Sequence, residues 1–271
     1  MNAIADLMRP QRSTGRASVA IATRRGRAAI AGLHQAGSAK AMYLPGAGGP
    51  EVVFLNTSGG LTGRDRLRYA LDLGSGLRAT ATTQTAERAY RAVGDPAHVR
   101  VRHSVGAGAH LDWLPQETIL FQGARLRRET QIDLTGDATC LLLEAVVLGR
   151  AAMGERVSRL EFTDRRMISR DGVPLFAEPL RLTGEALAAG AAVLAGARAI
   201  ATLVLVAPDA ADRLEAARAI LDEPGVRAGA SAFDGKLVVR LMAGDGWPLR
   251  RQILRALAVL RPGRLPRVWQ T

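Results

Sequence analysis

The strongest constraint on the fold is a series of short segments in which apolar and polar residues alternate. In residues 66–73 the apolar residues Leu67, Tyr69, Leu71 and Leu73 occupy every second position. This period of two places the apolar side chains on one face of a strand. Similar or more apolar segments follow along most of the chain: residues 17–23, 40–44, 51–56, 78–85, 99–103, 109–114, 118–121, 124–133, 139–148, 155–163, 166–170, 174–182 and 199–206.

Glycine-containing turns separate these segments and complete the prediction of a mainly β fold. A turn such as Gly106-Ala107-Gly108 lets the chain change direction after a strand. We therefore expect many short strands in stacked or β-helical sheets, and the spacing also leaves an antiparallel sandwich open. The sequence contains no repeat of fixed length, which argues against a regular solenoid. We expect residues 1–15 to be a flexible lead and residues 16–271 to form a single β-rich domain.

The C-terminal quarter has a different pattern, which predicts two α-helices. Pro208-Asp209 and Trp247-Pro248 are helix starts, and Asp234-Gly235 is a strong two-residue hairpin signal. Together they predict a β-α-β-β-α unit at about residues 199–262. Its elements are strand 199–206, helix 210–222, strands 227–233 and 236–242, and helix 247–260. Residues 184–198 are rich in alanine and glycine, and the pattern leaves helix and loop open there.

The chain is strongly basic, which bears on its partners. It has 37 Lys and Arg against 25 Asp and Glu, a formal net charge of +12. Lysine occurs only at Lys40 and Lys236, so 35 of the 37 basic residues are arginine. Arginine binds carboxylates and phosphates through a two-pronged guanidinium, so nucleic acid and acidic protein partners are both open. A GC-rich genome would also explain the preference for arginine over lysine, but not the excess of positive charge.

The number of cysteines and the hydropathy of the chain indicate the cellular compartment of the protein. Cys140 is the only cysteine, so this chain cannot form an internal disulfide, and we expect a reducing environment. We read no secretory leader at the N-terminus and no run of the roughly 20 apolar residues that a membrane span needs. We therefore expect a cytoplasmic protein with no membrane partner.

The residue types that carry most catalysis form no recognisable site. His34, His98, His103 and His110 make no H-E-x-x-H motif, and no zinc site follows from them. We expect His98 and His103, on a predicted exposed strand, to be structural or to face solvent. Cys140 lies in an apolar run, where a small buried hydrophobe is expected. The glycine-rich segment 56–65 lacks the Gly-Lys-Ser/Thr of a P-loop and the G-x-S-x-G of a hydrolase.

Carboxylates that interrupt apolar or sharply patterned segments are more informative. Glu117 follows Pro115-Gln116, Glu144 lies within the apolar run 141–148, and Glu178 precedes Pro179. Burying a carboxylate is costly unless it is paired, protonated or facing water. One interpretation is an ion pair with an arginine, and three candidates are Arg125, Arg150 and Arg181. The other is a set of oxygen donors along a polar passage, which would hold Ni²⁺ weakly and so suit transfer.

Six segments, taken together and in order, resemble the urease accessory protein family UreD, also called UreH. They are the glycine-rich loop 56–65, T-T-Q-T-A-E-R at 82–88, residues 113–121 with L-P-Q-E, residues 144–155, R-D-G-V-P-L at 170–175, and L-P-R-V-W at 265–269. The loop departs from the family pattern at two positions. The family usually has Gly where this chain has Arg64, and often Ala where Ser58 stands.

The resemblance implies a maturation factor and not an enzyme. Members of the family bind the helical protein UreF and through it the GTPase UreG, and the assembly delivers nickel and carbon dioxide to apo-urease. The resemblance therefore implies a hetero-oligomer with no permanently bound cofactor, and Ni²⁺ only in transit. An internal passage has been proposed as the nickel route. By motif match its candidate lining residues are Asp65, Glu144 and Glu178, with Glu117 ranked behind them because its turn-like setting is open to solvent.

Two other classes of function remain to be compared with this one. A basic nucleic-acid-binding module would use the charge, but few aromatic residues accompany the arginines for base stacking, so we expect no nucleic-acid partner. A hydrolase that uses Asp65 or a lone glutamate as base would need a nucleophile, a metal set or a paired acid, and the sequence offers none of these.

Overall fold

The computed structural model describes residues 12–46, 48–261 and 263–270, and in this part of the chain β-structure dominates as expected. The strands are β1 Thr14–Arg24, β2 Arg27–Gly37, β3 Ala39–Leu44, β4 Glu51–Asn56, β5 Arg66–Leu73, β6 Arg78–Thr83, β7 Glu87–Ala89, β8 Ala97–Val105, β9 His110–Leu114, β10 Thr118–Leu120, β11 Arg125–Leu134, β12 Thr139–Leu148, β13 Glu161–Arg170, β14 Val173–Thr183, β15 Ala199–Val206, β16 Val226–Phe233 and β17 Lys236–Ala243. The helices are α1 Gly184–Ala188, α2 Leu214–Ala219 and α3 Gly246–Leu260.

Two sheets lie face to face. Sheet 1 has seven strands in the order β14-β13-β11-β8-β5-β1-β2. Sheet 2 has ten strands, with the order β16-β17-β15-β12-β9-β6-β4-β3 and with β10 and β7 added beside β12. From β4 to β13 the chain passes back and forth between the sheets, and the strands of each sheet pair in parallel. This winding confirms the predicted stacked, β-helical arrangement.

The winding also explains why the sequence shows no fixed repeat. Register partners are 32 residues apart between β5 and β8, since Arg66 faces His98. They are 29 apart between β8 and β11, where Val101 faces Thr130, and 36 apart between β11 and β13. Each turn of the coil therefore has its own length, although successive strands stack in register.

Several predicted elements differ from the structure. The strand β2, Arg27–Gly37, was not predicted, because its alanines and glycine give weak alternation and most of its residues are exposed. The separate strands expected at 155–163 and 166–170 are one strand, β13. The helix expected at 210–222 is a 3₁₀ turn, Ala211–Arg213, followed by the six residues of α2. The open region 184–198 contains the short helix α1.

The structure describes the region around residue 16, where the β-rich domain is expected to begin. β1 begins at Thr14, two residues before the expected boundary of the domain. Residues 1–11, most of the expected flexible lead, lie outside the described residues. The expected boundaries of the domain therefore stay a prediction.

The core is divided between two layers. Between the sheets, Phe54, Trp113 and Phe162 are almost completely buried. On the other side of sheet 2, α3 buries Leu249, Ile253 and Leu257 against β15 and β17, with α2 beside it. The Asp245 carboxylate caps α3 by accepting a hydrogen bond from the Trp247 N–H at 2.8 Å, which is why the helix begins at Gly246.

The helices of the described ranges are short. The longest, α3, has 15 residues, and none is long and apolar enough to cross a membrane.

Candidate functional site

Glu144 lies in the centre of the molecule, where β12 of sheet 2 faces sheet 1. Its carboxylate accepts hydrogen bonds at Oε1 from Trp113 Nε1 at 3.1 Å and from Thr130 Oγ1 at 2.9 Å. Its Oε2 is 2.8 Å from Arg128 Nη1, and only 1% of the residue is exposed. The carboxylate is therefore fully satisfied, which is what allows an apolar strand to carry it.

Arg128 begins a chain of alternating charges that reaches the surface. Its guanidinium holds Asp164 with two hydrogen bonds, at 3.0 and 2.6 Å. Asp164 Oδ2 also accepts from Arg166 at 2.6 Å, and Arg166 Nη1 donates to Glu178 Oε2 at 2.7 Å. The other oxygen of Glu178 accepts from Arg240 at 2.8 Å, and the Arg240 side chain is 61% exposed. Glu144 and Glu178 thus stand at two places along one ion-pair network.

Asp164 is the centre of this network. Burial by itself would raise the pKa of its carboxyl, but the positive charges and hydrogen bonds of Arg128 and Arg166 hold that pKa below its usual range. It therefore stays ionised between two buried cations.

Glu144 and Glu178 form ion pairs, as one interpretation predicted, but the expected partners are wrong: among the described residues Arg181 forms no ion pair, and the other two pair elsewhere. Arg125 pairs with Glu161 and Arg150 with Glu155, both at the surface. The expected arginines are near the glutamates in the sequence, whereas the true partners lie on strands that the coil brings together. One signal was available: in β11 and β13, Arg128, Asp164 and Arg166 occupy inward positions of the alternating pattern.

Asp65 is separate from this network and organises the glycine-rich loop. Its Oδ2 accepts from the Thr62 N–H at 2.8 Å, and its Oδ1 accepts from the Ser13 N–H at 2.7 Å. The carboxylate, with the residue 3% exposed, thereby joins the loop to the beginning of β1. Arg64, at the position where the family usually has glycine, adopts the left-handed backbone with φ of 71°.

Glu87, which the sequence reasoning did not select, lies between Asp65 and the interior. Asn56 Nδ2 donates to both of its carboxylate oxygens at 3.3 Å. Burial raises the pKa of Glu87 to about 7, with a smaller contribution from the negative charge of Asp65. The same burial raises the pKa of Tyr69, and the charge of Glu87 adds to that effect. Glu87 is thus poised to change its protonation near neutral pH.

Three neighbouring cavities have these carboxylates in their walls. A surface cleft of about 560 Å³ beside the glycine-rich loop includes Asp65 and Gly60 in its walls. Gly60 also lines a partly open cavity of about 50 Å³ whose walls include Glu87 and the exposed residues Gln84 and Arg88. Glu87 in turn lines a cavity of about 40 Å³ whose walls also include Glu144. Neighbouring cavities therefore share wall residues from the loop to the centre, and Glu178 lies beyond them on the ion-pair network.

Glu117 has a different environment. Its side chain is 31% exposed, and its nearest cation is Arg250 at 3.9 Å. It lines an apolar groove of about 310 Å³ beside the first turn of α3, and not the central cavities. This exposure agrees with its rank behind the other three carboxylates.

Two of the histidines, His103 and His110, and the cysteine have structural roles. His103 lies on the inward face of β8 and is fully buried against Trp113, so of the two roles expected for it, structural or solvent-facing, it has the structural one. Burial lowers the pKa of His103 to about 3, and its Nδ1 accepts from the Leu71 N–H at 3.1 Å. His110 hydrogen-bonds the buried Asp112 at 2.9 Å. Cys140 is also fully buried, as predicted, and burial raises its pKa to about 12.

Among the described residues, no group of three or more His, Cys, Asp and Glu side chains has the arrangement of a metal centre. The carboxylates at Asp65, Glu87 and Glu144 follow one another along the cavities without converging on one point. Such an arrangement provides single oxygen ligands in sequence, which bind a divalent cation weakly.

Comparison with known proteins decides the family. The family model described as UreD urease accessory protein matches residues 13–270. This chain belongs to the UreD family. It is 65% identical over 216 residues to the urease accessory protein UreD of Cereibacter sphaeroides (strain ATCC 17025 / ATH 2.4.3), a match that covers 79% of this chain and 78% of that protein. It is 56% identical over 216 residues to the UreD of Paracoccus denitrificans (strain Pd 1222), covering 79% and 77%.

A third relative gives the same result. The UreD of Dinoroseobacter shibae (strain DSM 16493 / NCIMB 14021 / DFL 12) is 52% identical over 215 residues, covering 79% of this chain and 76% of that protein. As a member of the UreD family the chain is an accessory protein of urease and a non-catalytic maturation factor. The predicted family and the predicted absence of enzymatic activity are confirmed.

Two of the UreD-like segments meet in the structure. Trp269 Nε1 donates to the Leu114 carbonyl at 2.9 Å, and Gln116 Nε2 donates to the Val268 carbonyl at 3.0 Å. Arg250 stacks over the Trp269 ring at 4.6 Å and donates to Gln116 Oε1 at 2.8 Å. The L-P-Q-E segment therefore anchors the C-terminal L-P-R-V-W segment and has no catalytic geometry of its own.

Proposed function

We propose that this UreD protein is a scaffold and metallochaperone that assists nickel insertion into apo-urease, in a cytoplasmic complex with UreF and UreG. Its family membership supports a role in urease maturation. In this proposal Ni²⁺ is the cargo, and the protein holds no permanent cofactor.

The observation that carries the proposal is the series of carboxylates that line neighbouring cavities. Asp65 borders the outer cleft, and Glu87 and Glu144 line the inner cavities. Oxygen ligands hold Ni²⁺ less tightly than imidazole or thiolate does. His103 and Cys140, which would bind it more tightly, are enclosed in the core between the sheets. A route with weak ligands releases its cargo, as transfer requires.

The geometry also sets conditions on transit. The inner cavities of about 50 and 40 Å³ hold only a few water molecules, so a hydrated ion must lose water or the sheets must separate locally. Glu144 is occupied by Arg128, which must turn wholly to Asp164 before Glu144 can bind a cation. Both conditions favour a brief stay of the ion at each carboxylate.

A deletion strain tests the function itself. Without this protein, at low nickel concentration, we expect urease to be produced in normal amount but to contain little nickel and to show little activity. Metal analysis of purified urease measures this. Normal nickel content in the deletion strain would contradict the proposed function.

Single carboxylate variants test the route. Glu144→Gln and Glu178→Gln should reduce urease activation while the protein still co-purifies with UreF. Glu161→Gln is the matched control, because Glu161 is an ion-paired carboxylate on the exposed face of β13. Loss of UreF binding in the Glu144 and Glu178 variants would show that these residues act only in folding, and equal loss of activation in the control would show no specific route.

A further inference from the structure

The outer face of sheet 1 is unusual for a sheet with parallel strands. The neighbours β1, β5, β8 and β11 run parallel, and parallel sheets are normally covered on both faces. Here the residues that point away from sheet 2 are exposed along β5 and β8, as the strict alternation of buried and exposed residues shows. The helices α2 and α3 cover sheet 2 instead.

Arginines stand side by side on this face. The register places Arg16 beside Arg68 and Arg68 beside Arg100. In the next row Arg66 lies beside His98, and His98 beside Arg127. Strands in a sheet are about 4.8 Å apart, and like charges directly opposite one another are destabilising.

We define the basic face as six exposed or rim residues of these rows: Arg16, Arg66, Arg68, His98, Arg102 and Arg127. Within the described part of the chain, none of its arginines forms an ion pair, whereas Arg100 beside them pairs with Glu129 at 2.9 Å. Among the residues that the structure describes, these arginines therefore have no ion-pair partner. A partner that supplied negative charge would relieve this repulsion.

A cleft at one end of the basic face concentrates the charge. It has a volume of about 630 Å³, and the side chains that line it include Arg12, Arg64, Arg66 and Arg127. The one carboxylate in its wall, Asp95, is 3.7 Å from Arg64. Partial burial lowers the pKa of His98, and the positive charges of Arg127 and Arg66 lower it further.

The chemistry of the face favours a protein partner over a nucleic acid. No Phe, Tyr or Trp occupies an outward position of β1, β5, β8 or β11, so bases would find no stacking platform. Carboxylates also stand at the edges of the face, at Asp72, Glu129 and Asp133, and these would repel a continuous phosphate backbone. The separate carboxylates of an acidic protein surface can lie between these edge carboxylates, each bound by the two-pronged guanidinium of an arginine.

We propose that the basic face is the docking site for an acidic surface of another protein in the urease maturation assembly. Carboxylates of that surface bind in the cleft at the end of the basic face, which Arg66 and Arg127 line. The choice of that assembly rests on the proposed function. The electrostatic part of the proposal does not, because it follows from the arginines of the basic face alone. Association through such a surface is fast and weakens with rising salt.

The first experiment uses poly-L-glutamate as the acidic probe and a DNA duplex of equal charge as the competing probe. Binding of each to the full-length protein is measured by fluorescence anisotropy at 50 and 150 mM NaCl. The test variant Arg66→Gln/Arg68→Gln/Arg127→Gln neutralises the basic face. The matched control Arg24→Gln/Arg25→Gln/Arg27→Gln removes the same charge from the exposed β1–β2 turn at the far end of β1.

We expect the basic-face variant to bind poly-L-glutamate at least tenfold more weakly, and the control less than twofold. Equal weakening in both variants would overturn the proposal, because net charge alone would then explain binding. Tighter binding of the DNA duplex, lost in the basic-face variant, would assign the face to nucleic acid instead. Arg68→Glu alone, at the centre of the face, should weaken binding at least threefold if the triple variant does not fold.

The second experiment uses the assembly with UreF, UreG and apo-urease at 150 mM NaCl. The basic-face variant should lose one component on size-exclusion chromatography, whereas the control variant should retain all of them. Full retention by the basic-face variant would overturn the docking site. Failure of the unaltered protein to join any component would instead contradict the proposed function, so the two failures are distinguishable.

Discussion

At the scale of single residues, the backbone conformation of a position can favour one residue type whatever the chemistry of its side chain. Arg64 occupies a left-handed conformation with φ of 71°, which a side chain disfavours and glycine accepts. The usual glycine of the family at this position thus has a conformational reason. The Arg64–Asp95 pair, with side chains 65% and 78% exposed, offers little compensation.

Arg64→Gly should therefore raise the free energy of unfolding by about 1 kcal/mol, because the strain of the left-handed backbone disappears. Urea denaturation measures the change. Arg66→Gly is the control, since Arg66 has an extended backbone in β5 and glycine there should lower the stability. A destabilised Arg64→Gly variant would show that the side chain contributes more than its backbone costs.

Glu87 gives a pH dependence of defined sign. Its pKa is about 7 in the folded protein, against 4.5 ordinarily, so between these values the folded state holds a proton that the unfolded state has lost. The contribution of protonated Glu87 to the free energy of unfolding is therefore fully present below pH 4.5, and it decreases as the pH rises toward 7. Glu87→Gln cannot ionise and escapes this loss.

Relative to the unaltered protein, Glu87→Gln should gain on the order of 1–2 kcal/mol between pH 5 and pH 8, after allowance for partial exposure of the site. Urea denaturation at the two pH values provides the comparison. Glu161→Gln, which removes a carboxylate from the exposed face, should show little such change. A difference for Glu87→Gln that is equal at both pH values would contradict ionisation as the cause.

At the scale of elements, β11 and β13 are built around a buried polar network. Asp164 connects Arg128 and Arg166, and all three are at most 6% exposed. A buried ion pair adds little net stability, but removing one partner leaves uncompensated charge in the core. The network also joins the two sheets, because Arg128 of sheet 1 pairs with Glu144 of sheet 2, and Glu178 of sheet 1 pairs with Arg240 of sheet 2.

Asp164→Asn should lower the free energy of unfolding by about 3–5 kcal/mol, since it leaves two guanidinium groups facing one another in the core. Denaturation by urea or heat will show this. Glu161→Gln, which breaks the exposed Arg125–Glu161 pair, should cost no more than about 1 kcal/mol. An equal loss of unfolding free energy in the two variants would mean that water reaches the Asp164 site.

At the scale of the whole molecule, residues far apart in sequence close the fold. The hydrogen bond from Trp269 to Leu114 spans 155 positions, and that from Gln116 to Val268 spans 152. These contacts hold α3 and the C-terminal segment against β9 and β10. Two UreD-like segments therefore form one joint between sheet 2 and its helix layer.

Trp269→Ala should lower the free energy of unfolding by about 3–5 kcal/mol, because it removes a buried ring that is 3% exposed together with its hydrogen bond. Trp247→Ala is the matched control, because Trp247 is 62% exposed and its loss should cost less than about 1 kcal/mol. Similar costs for both tryptophans, measured by urea denaturation, would show that the C-terminal segment does not stabilise the body.

The sequence by itself determined the strands and the family. Alternation located β5 to the residue, because one buried face forces a period of two. A continuous apolar run located β12, which is buried on both faces, and the Asp234-Gly235 turn located its hairpin. It also singled out Glu144 and Glu178 as anomalous carboxylates. It did not find β2, where alanine and glycine weaken the pattern, or Glu87, which follows no apolar run.

Only the tertiary structure decided which residues meet. The coil of unequal turns brings Arg128 to Glu144 and Asp164, and no local pattern contains those separations. The same coil aligns Arg16, Arg68 and Arg100, which are separate strand residues in the sequence, into one charged row. The physical reason is that side-chain periodicity is a property of single strands, whereas pairing, burial of charge and surface potential depend on register between strands.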